Sequence, residues 1–246
     1  TFPTDGTMIK VHLTQETGTL PSRNWQENTS EYASDISADA FLRHFLRPQA
    51  CFACPIGCSR ETKAMIDGVE YLTEGPEYET IYAMGSNCMI DNLAAITKAN
   101  YICNEMGMDT ITMGATIACA MELVDRGYLS EKIVGRSLQW GDADALVELT
   151  RMTGNREGIG DLLAEGVKRA SEKVGKGSAD FAVHVKGLEW TGYECRNAPS
   201  MMLAYLTSDI GAHHGRAWVL GHDIAGSFTS VHDLIVAGGD RQKPPR

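Results

Sequence analysis

Hydrophobic residues recur at helical spacing along most of the chain after about residue 77. Residues 93–106 place a largely apolar set of side chains on one face, and Gly107 follows as a natural C-terminal stop. Residues 163–174 carry a second stripe, with apolar positions at i, i+4, i+7 and i+11. The same pattern predicts three further helices, over 117–125, 142–154 and 199–205.

The first part of the chain shows no such period. Residues 1–35 are polar and rich in Gly, Pro, Asn and Ser, which predicts an arm or loop. Ser37 is a suitable N-cap for a short helix through Leu46 that Pro48 ends. Alternation over 181–186 predicts one short strand. The expected fold class is therefore mainly α, with irregular loops and little strand.

Composition narrows the choice of function classes. The 246 residues carry a net charge of −10 and 43% hydrophobic residues, enough for a sizeable core. An acidic chain is unsuited to nucleic acid or an anionic membrane surface, since both favour basic proteins. No apolar run approaches the roughly 20 residues that a membrane-spanning helix needs. The chain begins at Thr1 without a visible signal peptide, and we expect both ends to be cuts within a longer protein.

Three of the seven cysteines fall within eight residues, at Cys51, Cys54 and Cys58. An odd number of cysteines in a chain of this length indicates a reducing, cytoplasmic setting in which thiolates can bind metal. Pro55 and Gly57 allow the loop to bend so that the three sulfurs can converge. The spacing favours an iron–sulfur cluster, while structural zinc and buried thiols without a metal stay open as alternatives.

The four remaining cysteines supply no convincing fourth ligand for such a cluster. Cys103 and Cys119 lie on apolar faces of predicted helices, where cysteine commonly serves as a small core residue. The sequence assigns no role to Cys88 and Cys195.

Two groups of polar residues are candidates for proton chemistry. Glu74, Glu77 and Glu79 surround a Gly-Pro turn before an apolar helix, where acidic residues also favour the helix dipole. One of them could instead project into a buried site and act as a general base with a raised pKa. His213 and His214 lie between glycines, which indicates a ligand or a proton-transfer role beside their interpretation as ordinary histidines.

An ordered series of segments resembles the aldehyde ferredoxin oxidoreductase family across nearly the whole chain. The matching stretches are Leu20–Asn24, Cys51–Cys58, Glu74–Glu79, Met84–Asn87, Ala99–Asn100, Met106–Thr110, Ala120–Leu123, Gly158–Gly166 and Tyr205–Thr207 leading to His214. The resemblance implies helical domains of that family's type. Residues 1–180 would correspond to the second domain, and residues 181–246 to a truncated beginning of the third.

The resemblance also implies two cofactors, a tungsten (or molybdenum) ion held by two pterins and a nearby [4Fe–4S] cluster. Cys51, Cys54 and Cys58 match three cluster ligands, and the fourth is expected beyond Arg246. Further matches concern the active site. Glu79 matches a glutamate proposed to activate water or accept a proton, and His214 matches a histidine that hydrogen-bonds a substrate or metal-bound oxygen.

Two positions depart from the family's pattern. Asn104 and Asp109 fall in a pterin-contacting segment that has Asp at both places, so Asn104 keeps the hydrogen-bonding ability and loses the charge. Lys98 stands where some members have a glutamate that binds a metal between subunits, and we do not expect that metal here. A homo-oligomer is compatible with the resemblance.

The implied function is oxidation of a small aldehyde to a carboxylic acid, with electrons passing through the cluster to a ferredoxin-like carrier. The segment alone is expected to be inactive. Two alternatives stay open: a tungsten-dependent subunit of the aromatic acyl-CoA reductase type, and a non-catalytic helical module held together by zinc.

Overall fold

A computed structural model describes residues 2–217 and 219–224 of the chain. Helices dominate and the strands are short, so the predicted mainly α fold class is confirmed. The helices are α1 (Phe2–Asp5), α2 (Ile9–Glu16), α3 (Ala38–Phe41), α4 (Tyr78–Met84), α5 (Leu93–Met106), α6 (Thr110–Asp125), α7 (Glu131–Val134), α8 (Ala143–Asn155), α9 (Gly160–Leu163), α10 (Gly166–Val174), α11 (Pro199–Thr207) and α12 (Leu220–Ile224). The strands are β1 (Phe45–Gln49), β2 (Ser59–Ile66), β3 (Val69–Glu74), β4 (His184–Val185) and β5 (Leu188–Glu189). The end of the predicted third-domain segment, 225–246, lies outside the described residues.

The helices after residue 77 begin and end where local signals predict them. α5 ends at Gly107, whose φ of +68° is costly for residues with a side chain. α8 begins after Asp142, whose carboxylate accepts a hydrogen bond from the Ala145 backbone N–H at 2.8 Å. The predicted stripe over 163–174 is divided between α9 and α10, because the chain turns at Gly166 with φ of +75°.

The core lies where α4 packs against α6 and α5 packs against α8. Tyr78 and Ile81 of α4 are fully buried there. Gly114 of α6 faces the backbone of Ala83 so closely that an added Cβ would lie 2.5 Å from the Ala83 carbonyl oxygen. The lack of a side chain at this position lets the two helices approach, and the approach holds α4 firmly in the core.

A small antiparallel sheet with the strand order β1-β2-β3 lies beside these helices. Asp67 and Gly68, both with positive φ, form the tight turn between β2 and β3. The other connection, residues 50–58, joins β1 to β2 and carries Cys51, Cys54 and Cys58; we name it the cysteine loop. Gln49 pairs with Ser59 at its base, so both ends of the loop are held by the sheet.

The predicted arm over residues 1–35 is wrong in its first half, because residues 2–16 are helical. Polar neighbours hide the helical pattern in the sequence, whereas in the fold Met8 and Val11 are buried in the core. The hydroxyl of Thr14 donates to the Lys10 carbonyl at 2.7 Å and so stays within the helix.

Two shorter predictions are corrected in length. Ser37 does cap α3, accepting from the Ala40 N–H at 3.4 Å, but the helix ends at Phe41 because Phe45 begins a strand paired with β2. The strand predicted over 181–186 is reduced to the two residues of β4, which pair with β5 in the part of the chain that the structure describes. Among the described residues, each helix is too short or too polar to cross a membrane.

Candidate active site

The carboxyl group of Glu79 lies in the first turn of α4, just after the Gly-Pro turn. Its Oε2 accepts a hydrogen bond from the backbone N–H of Gly192 at 2.8 Å. Its Oε1 is buried and makes no hydrogen bond within the part of the chain that the structure describes. The side chain is only 17% exposed. A carboxyl group with one oxygen fixed and the other available is suited to exchange a proton with a bound molecule.

Burial raises the pKa of Glu79 from 4.5 to about 7, since removal from water disfavours the charged form. Asp109 adds a smaller effect in the same direction. The Gly192 N–H, the ammonium of Lys10 and the hydroxyl of Tyr193 oppose the rise. A carboxyl group with this pKa can accept and release protons near neutral pH.

His214 is the second predicted site residue, and the fold brings it beside Glu79. Its Nδ1 lies 3.8 Å from Glu79 Oε1, too far for a hydrogen bond. Burial, together with smaller effects of the Lys10 ammonium and the neighbouring His213, lowers its pKa to about 4. The imidazole is therefore neutral at pH 7, and the pair is not an ion pair there. A neutral imidazole can still donate one hydrogen bond.

Lys10, Gly192 and Tyr193 belong to the site and were not predicted from the sequence. Lys10 Nζ donates to the Tyr193 hydroxyl at 3.1 Å. Tyr193 stacks on Tyr78 with ring centroids 5.5 Å apart. Residues 6–15 contain one lysine, Lys10, and no arginine, aspartate or glutamate. This isolated charge is the signal in the sequence that could have indicated Lys10.

A groove of about 590 Å³ opens beside Glu79, a volume typical of sites for small molecules and cofactors. Asn104 and Asp109, the two predicted pterin contacts, both line it. Asn104 donates through Nδ2 to the Glu74 carbonyl at 3.0 Å and to the Thr73 hydroxyl at 3.1 Å. Asp109 caps α6 by accepting from the Thr112 N–H at 2.7 Å. Among the described residues, no donor is bonded to the second side-chain oxygen of either residue, so each could contact a bound group.

The cysteine loop presents its three thiols on the outside of the molecule. Cys51 is exposed, Cys54 and Cys58 are half-buried, and all three are free thiols. The Cys54 N–H donates to the Cys51 carbonyl at 3.0 Å, and Ala53 and Gly57 have positive φ, so the backbone is tightly bent. Burial raises the pKa of Cys58, and the other two thiols raise it further.

The three thiols of this loop are the ligand type that an iron–sulfur cluster requires, but their side chains do not converge on one point. No group of three Cys, His, Asp or Glu side chains forms a ready metal site among residues 2–217 and 219–224. The loop backbone is held by the buried Arg60, which donates to the Gly57 carbonyl at 3.0 Å and to the Ser59 carbonyl at 2.6 Å. Cluster binding by Cys51, Cys54 and Cys58 therefore stays a prediction.

The other cysteines lie inside the helical body. Cys88 donates to the Ala83 carbonyl at 3.3 Å, and burial raises the pKa of this thiol above the usual range. Cys103 and Cys119 are buried, and burial raises the pKa of each to about 12. Cys195 is buried in the same way. Such thiols pack as core residues, and they are poor metal ligands because they resist ionisation.

Comparisons with known proteins identify the family to which the chain is similar. The family model for aldehyde ferredoxin oxidoreductase, domains 2 and 3, matches residues 1–243. Tungsten-containing aldehyde ferredoxin oxidoreductases of Thermococcus kodakarensis and Pyrococcus furiosus are 39% and 37% identical to the chain over 228 residues. Both matches cover 92% of this chain and 37% of the relative, so the chain spans little more than a third of these proteins.

A more distant relative is the aliphatic sulfonate oxidoreductase, WOR-like subunit, of Pyrococcus furiosus, 32% identical over 179 residues, 68% of this chain and 28% of the relative. Among solved structures, the active site complex BamBC of benzoyl coenzyme A reductase in complex with 1,5 dienoyl-CoA superposes with a TM-score of 0.64. It shares 20% identity and covers 83% of this chain and 32% of that chain, a likeness that concerns the fold alone. The family match over residues 1–243 is decisive: the chain belongs to the aldehyde ferredoxin oxidoreductase family.

Proposed function

We propose that this chain is the part of a tungsten (or molybdenum) pterin enzyme that supplies proton chemistry for the oxidation of a small aldehyde, RCHO + H₂O → RCOOH + 2H⁺ + 2e⁻. The observation that carries the proposal is the pairing of Glu79 with His214. A buried carboxyl oxygen without a hydrogen bond within the described residues lies 3.8 Å from a neutral imidazole, beside a groove of cofactor size.

Asn104 and Asp109 would contact the pterin, since both line the groove and, within the described residues, Asn104 Oδ1 and Asp109 Oδ1 accept no hydrogen bond. Cys51, Cys54 and Cys58 would hold three corners of a [4Fe–4S] cluster, with the fourth ligand outside this chain. When bound, the metal–pterin group supplies the two-electron oxidation, and the cluster supplies single electrons to a ferredoxin-like carrier. The protein's own residues must position the substrate and water and move the protons.

Glu79 accepts a proton from the water molecule that adds to the aldehyde carbon. Its pKa of about 7 means that a substantial fraction is ionised at neutral pH while the group still competes for a proton. The hydrogen bond from Gly192 fixes Oε2, so Oε1 is the oxygen that receives the proton.

His214 donates a hydrogen bond to the oxygen of the aldehyde and thereby draws electron density away from the carbonyl carbon. The imidazole acts as a neutral donor, because burial keeps its pKa near 4. Its ring packs edge-on against Tyr193, with centroids 5.9 Å apart, which limits the rotation of the imidazole.

We extend the proposal to the setting of the whole enzyme. Residues 1–180 and 181–246 would belong to successive helical domains, and the enzyme would work in the cytoplasm, as a monomer or homo-oligomer. Neither nucleic acid nor a membrane is part of the proposed function.

Expression of the full-length enzyme under anaerobic, tungsten-supplied conditions tests the proposal. We expect tungsten, iron and acid-labile sulfide by elemental analysis, together with aldehyde-dependent reduction of ferredoxin or a viologen dye. Zinc without iron and tungsten would instead support the zinc-held module. Reduction or oxidation of an aromatic acyl-CoA without any aldehyde turnover would support the acyl-CoA reductase type.

A further inference from the structure

Lys10 is a cation placed among aromatic rings next to the proposed active site. It extends from α2, and its Nζ lies 5.8 Å from the centroid of the Tyr78 ring and 5.7 Å from that of the Tyr193 ring. Its ammonium also donates to the Tyr193 hydroxyl at 3.1 Å. Two stacked rings and one hydroxyl thus hold the flexible lysine side chain in one place.

Tyr193 connects this ammonium to both proposed catalytic residues. Its hydroxyl interacts with the carboxyl group of Glu79 and stabilises the ionised form. Its ring packs against the ring of His214. The neighbouring Gly192 supplies the N–H that fixes Glu79 Oε2. Lys10 therefore contacts Tyr193, a residue that touches both members of the pair.

The charged groups around Lys10 and Glu79 determine how the lysine affects the carboxyl group. Burial lowers the pKa of Lys10, and the charges of Glu79, Glu77 and the Cys58 thiol oppose this effect in part. The groups around Glu79 are Tyr78, Tyr82, Asp109, Tyr193, Tyr205 and His214. Burial raises the pKa of the four tyrosines, which stay neutral, and His214 is neutral as well. Among the groups named here, Lys10 contributes the positive charge that favours ionisation of Glu79.

We propose that Lys10 is a positioning residue for Glu79: its ammonium orients the Tyr193 hydroxyl toward the carboxyl group and holds a positive charge beside it. The proposal rests on the proposed function, in which Glu79 accepts the proton. The effect of Lys10 on the reaction passes through the protonation state of Glu79.

The test is the pH dependence of turnover in the full-length holoenzyme carrying Lys10→Met. Without the ammonium, the pH at which Glu79 ionises should rise by about one unit, because a nearby opposite charge typically lowers a carboxyl pKa by at least that much. Turnover should fall about tenfold at pH 6 and stay nearly unchanged at pH 9. Lys10→Arg keeps the charge and should leave the profile close to wild type, as should Lys132→Met at an exposed site on α7.

A second readout does not require turnover. A water-soluble carbodiimide labels protonated carboxyl groups, and peptide mass spectrometry can follow labelling of Glu79 against pH in wild type and in Lys10→Met. The labelling midpoint should move upward with the variant. If wild type oxidises no aldehyde, the proposed function fails while this measurement still tests Lys10.

An unchanged midpoint in folded Lys10→Met, or a loss of turnover that is equal at every pH, would overturn the proposal. Should Lys10→Met not fold, Tyr193→Phe takes its place, because it removes only the hydroxyl that Lys10 orients. Its midpoint should move in the same direction by a smaller amount, and a midpoint identical to wild type in Tyr193→Phe would overturn the proposal equally.

Discussion

The two candidate cofactor-facing regions of this chain, the Glu79 site and the cysteine loop, are built in opposite ways. Glu79 projects from a helix fixed in the core, and its partners come from α2 and from the segment that follows β5. The cysteine loop extends from a small sheet, and its first cysteine is exposed. Contacts among the described residues fix the Glu79 carboxyl group, whereas in the proposed function a bound cluster would have to bring the three thiols of the loop together. Proton transfer requires side chains that the fold already holds in position, whereas a bound metal cluster can itself order the ligands that bind it.

Replacement of Glu79 tests the first region with the largest expected effect. Glu79→Gln keeps the shape and removes the proton acceptor, so turnover should fall on the order of 10³-fold with tungsten still bound. Turnover is measured with an aldehyde and a viologen dye, and tungsten by elemental analysis. Glu172→Gln, at an exposed position on α10, is the matched control and should behave as wild type. Full activity in Glu79→Gln would remove this residue from the mechanism.

His214 should have the next largest effect. His214→Gln retains a side-chain donor in a less rigid group, so kcat should fall on the order of 10²-fold. The pH profile of the remaining activity should keep the acidic midpoint of wild type, since Glu79 still accepts the proton. A midpoint displaced by more than one unit would show that the two residues titrate as a unit.

The pH profile of wild type sharpens the same point. Because Glu79 acts as a base with a pKa raised to about 7, activity should rise with pH and level off above it. Below the midpoint, each pH unit should reduce kcat/KM about tenfold. His214, with a pKa near 4, should add no further step between pH 5 and 9. A steady-state profile in overlapping buffers measures this, and a flat profile from pH 5 to 8 would contradict it.

The same substitution made in the cysteine loop and in the helical core compares a thiol proposed to bind metal with a thiol that packs. Cys58→Ser in the cysteine loop should abolish iron binding and leave the unfolding temperature of metal-free protein almost unchanged. Cys103→Ser in the core should keep the iron but lower the free energy of unfolding by about 1–3 kcal/mol, the cost of burying a hydroxyl in place of a thiol. Iron analysis and thermal unfolding measure both effects. Retained iron in Cys58→Ser together with lost iron in Cys103→Ser would contradict the roles assigned to these two cysteines.

The smallest expected effect concerns the helix contact that holds α4. Gly114→Ala places a methyl group against the rigid backbone of Ala83, so it should destabilise the protein by about 1–3 kcal/mol. Gly154→Ala is the matched control on α8. Its methyl group meets the flexible side chains of Met106 and Met108, which can move aside. Denaturant unfolding should therefore show little change in Gly154→Ala.

The elements that the sequence predicted correctly depend on neighbours in the chain. Gly107 and Asp142 end and begin helices through local backbone geometry and capping, which a sequence shows directly. The helix over residues 9–16 escaped prediction because its polar residues become partners of other segments, as Lys10 does with Tyr193. The hairpin of β2 and β3 was missed as well, although its Asp-Gly turn is a typical signal.

The site also contains residues that the sequence indicated and residues that it did not. Glu79 and His214 were singled out from their residue types and from the family resemblance, and the structure places them together across more than a hundred residues of sequence. Gly192 acts only through its backbone N–H, so no side-chain pattern could have indicated it. The pKa of Glu79 depends on burial by the whole fold, and no local sequence can encode it.

Two tyrosines of α4, one turn apart, bind the segment after residue 180. The Tyr78 hydroxyl donates to the Gly192 carbonyl, and the Tyr82 hydroxyl donates to the Trp190 carbonyl at 2.5 Å. If the segment around residues 190–192 were replaced by that of a relative, the new segment would have to place two backbone carbonyl acceptors at the same spacing. Evolutionary change at residues 190–192 is therefore constrained by main-chain geometry, which tolerates a change of side chain far better than an insertion.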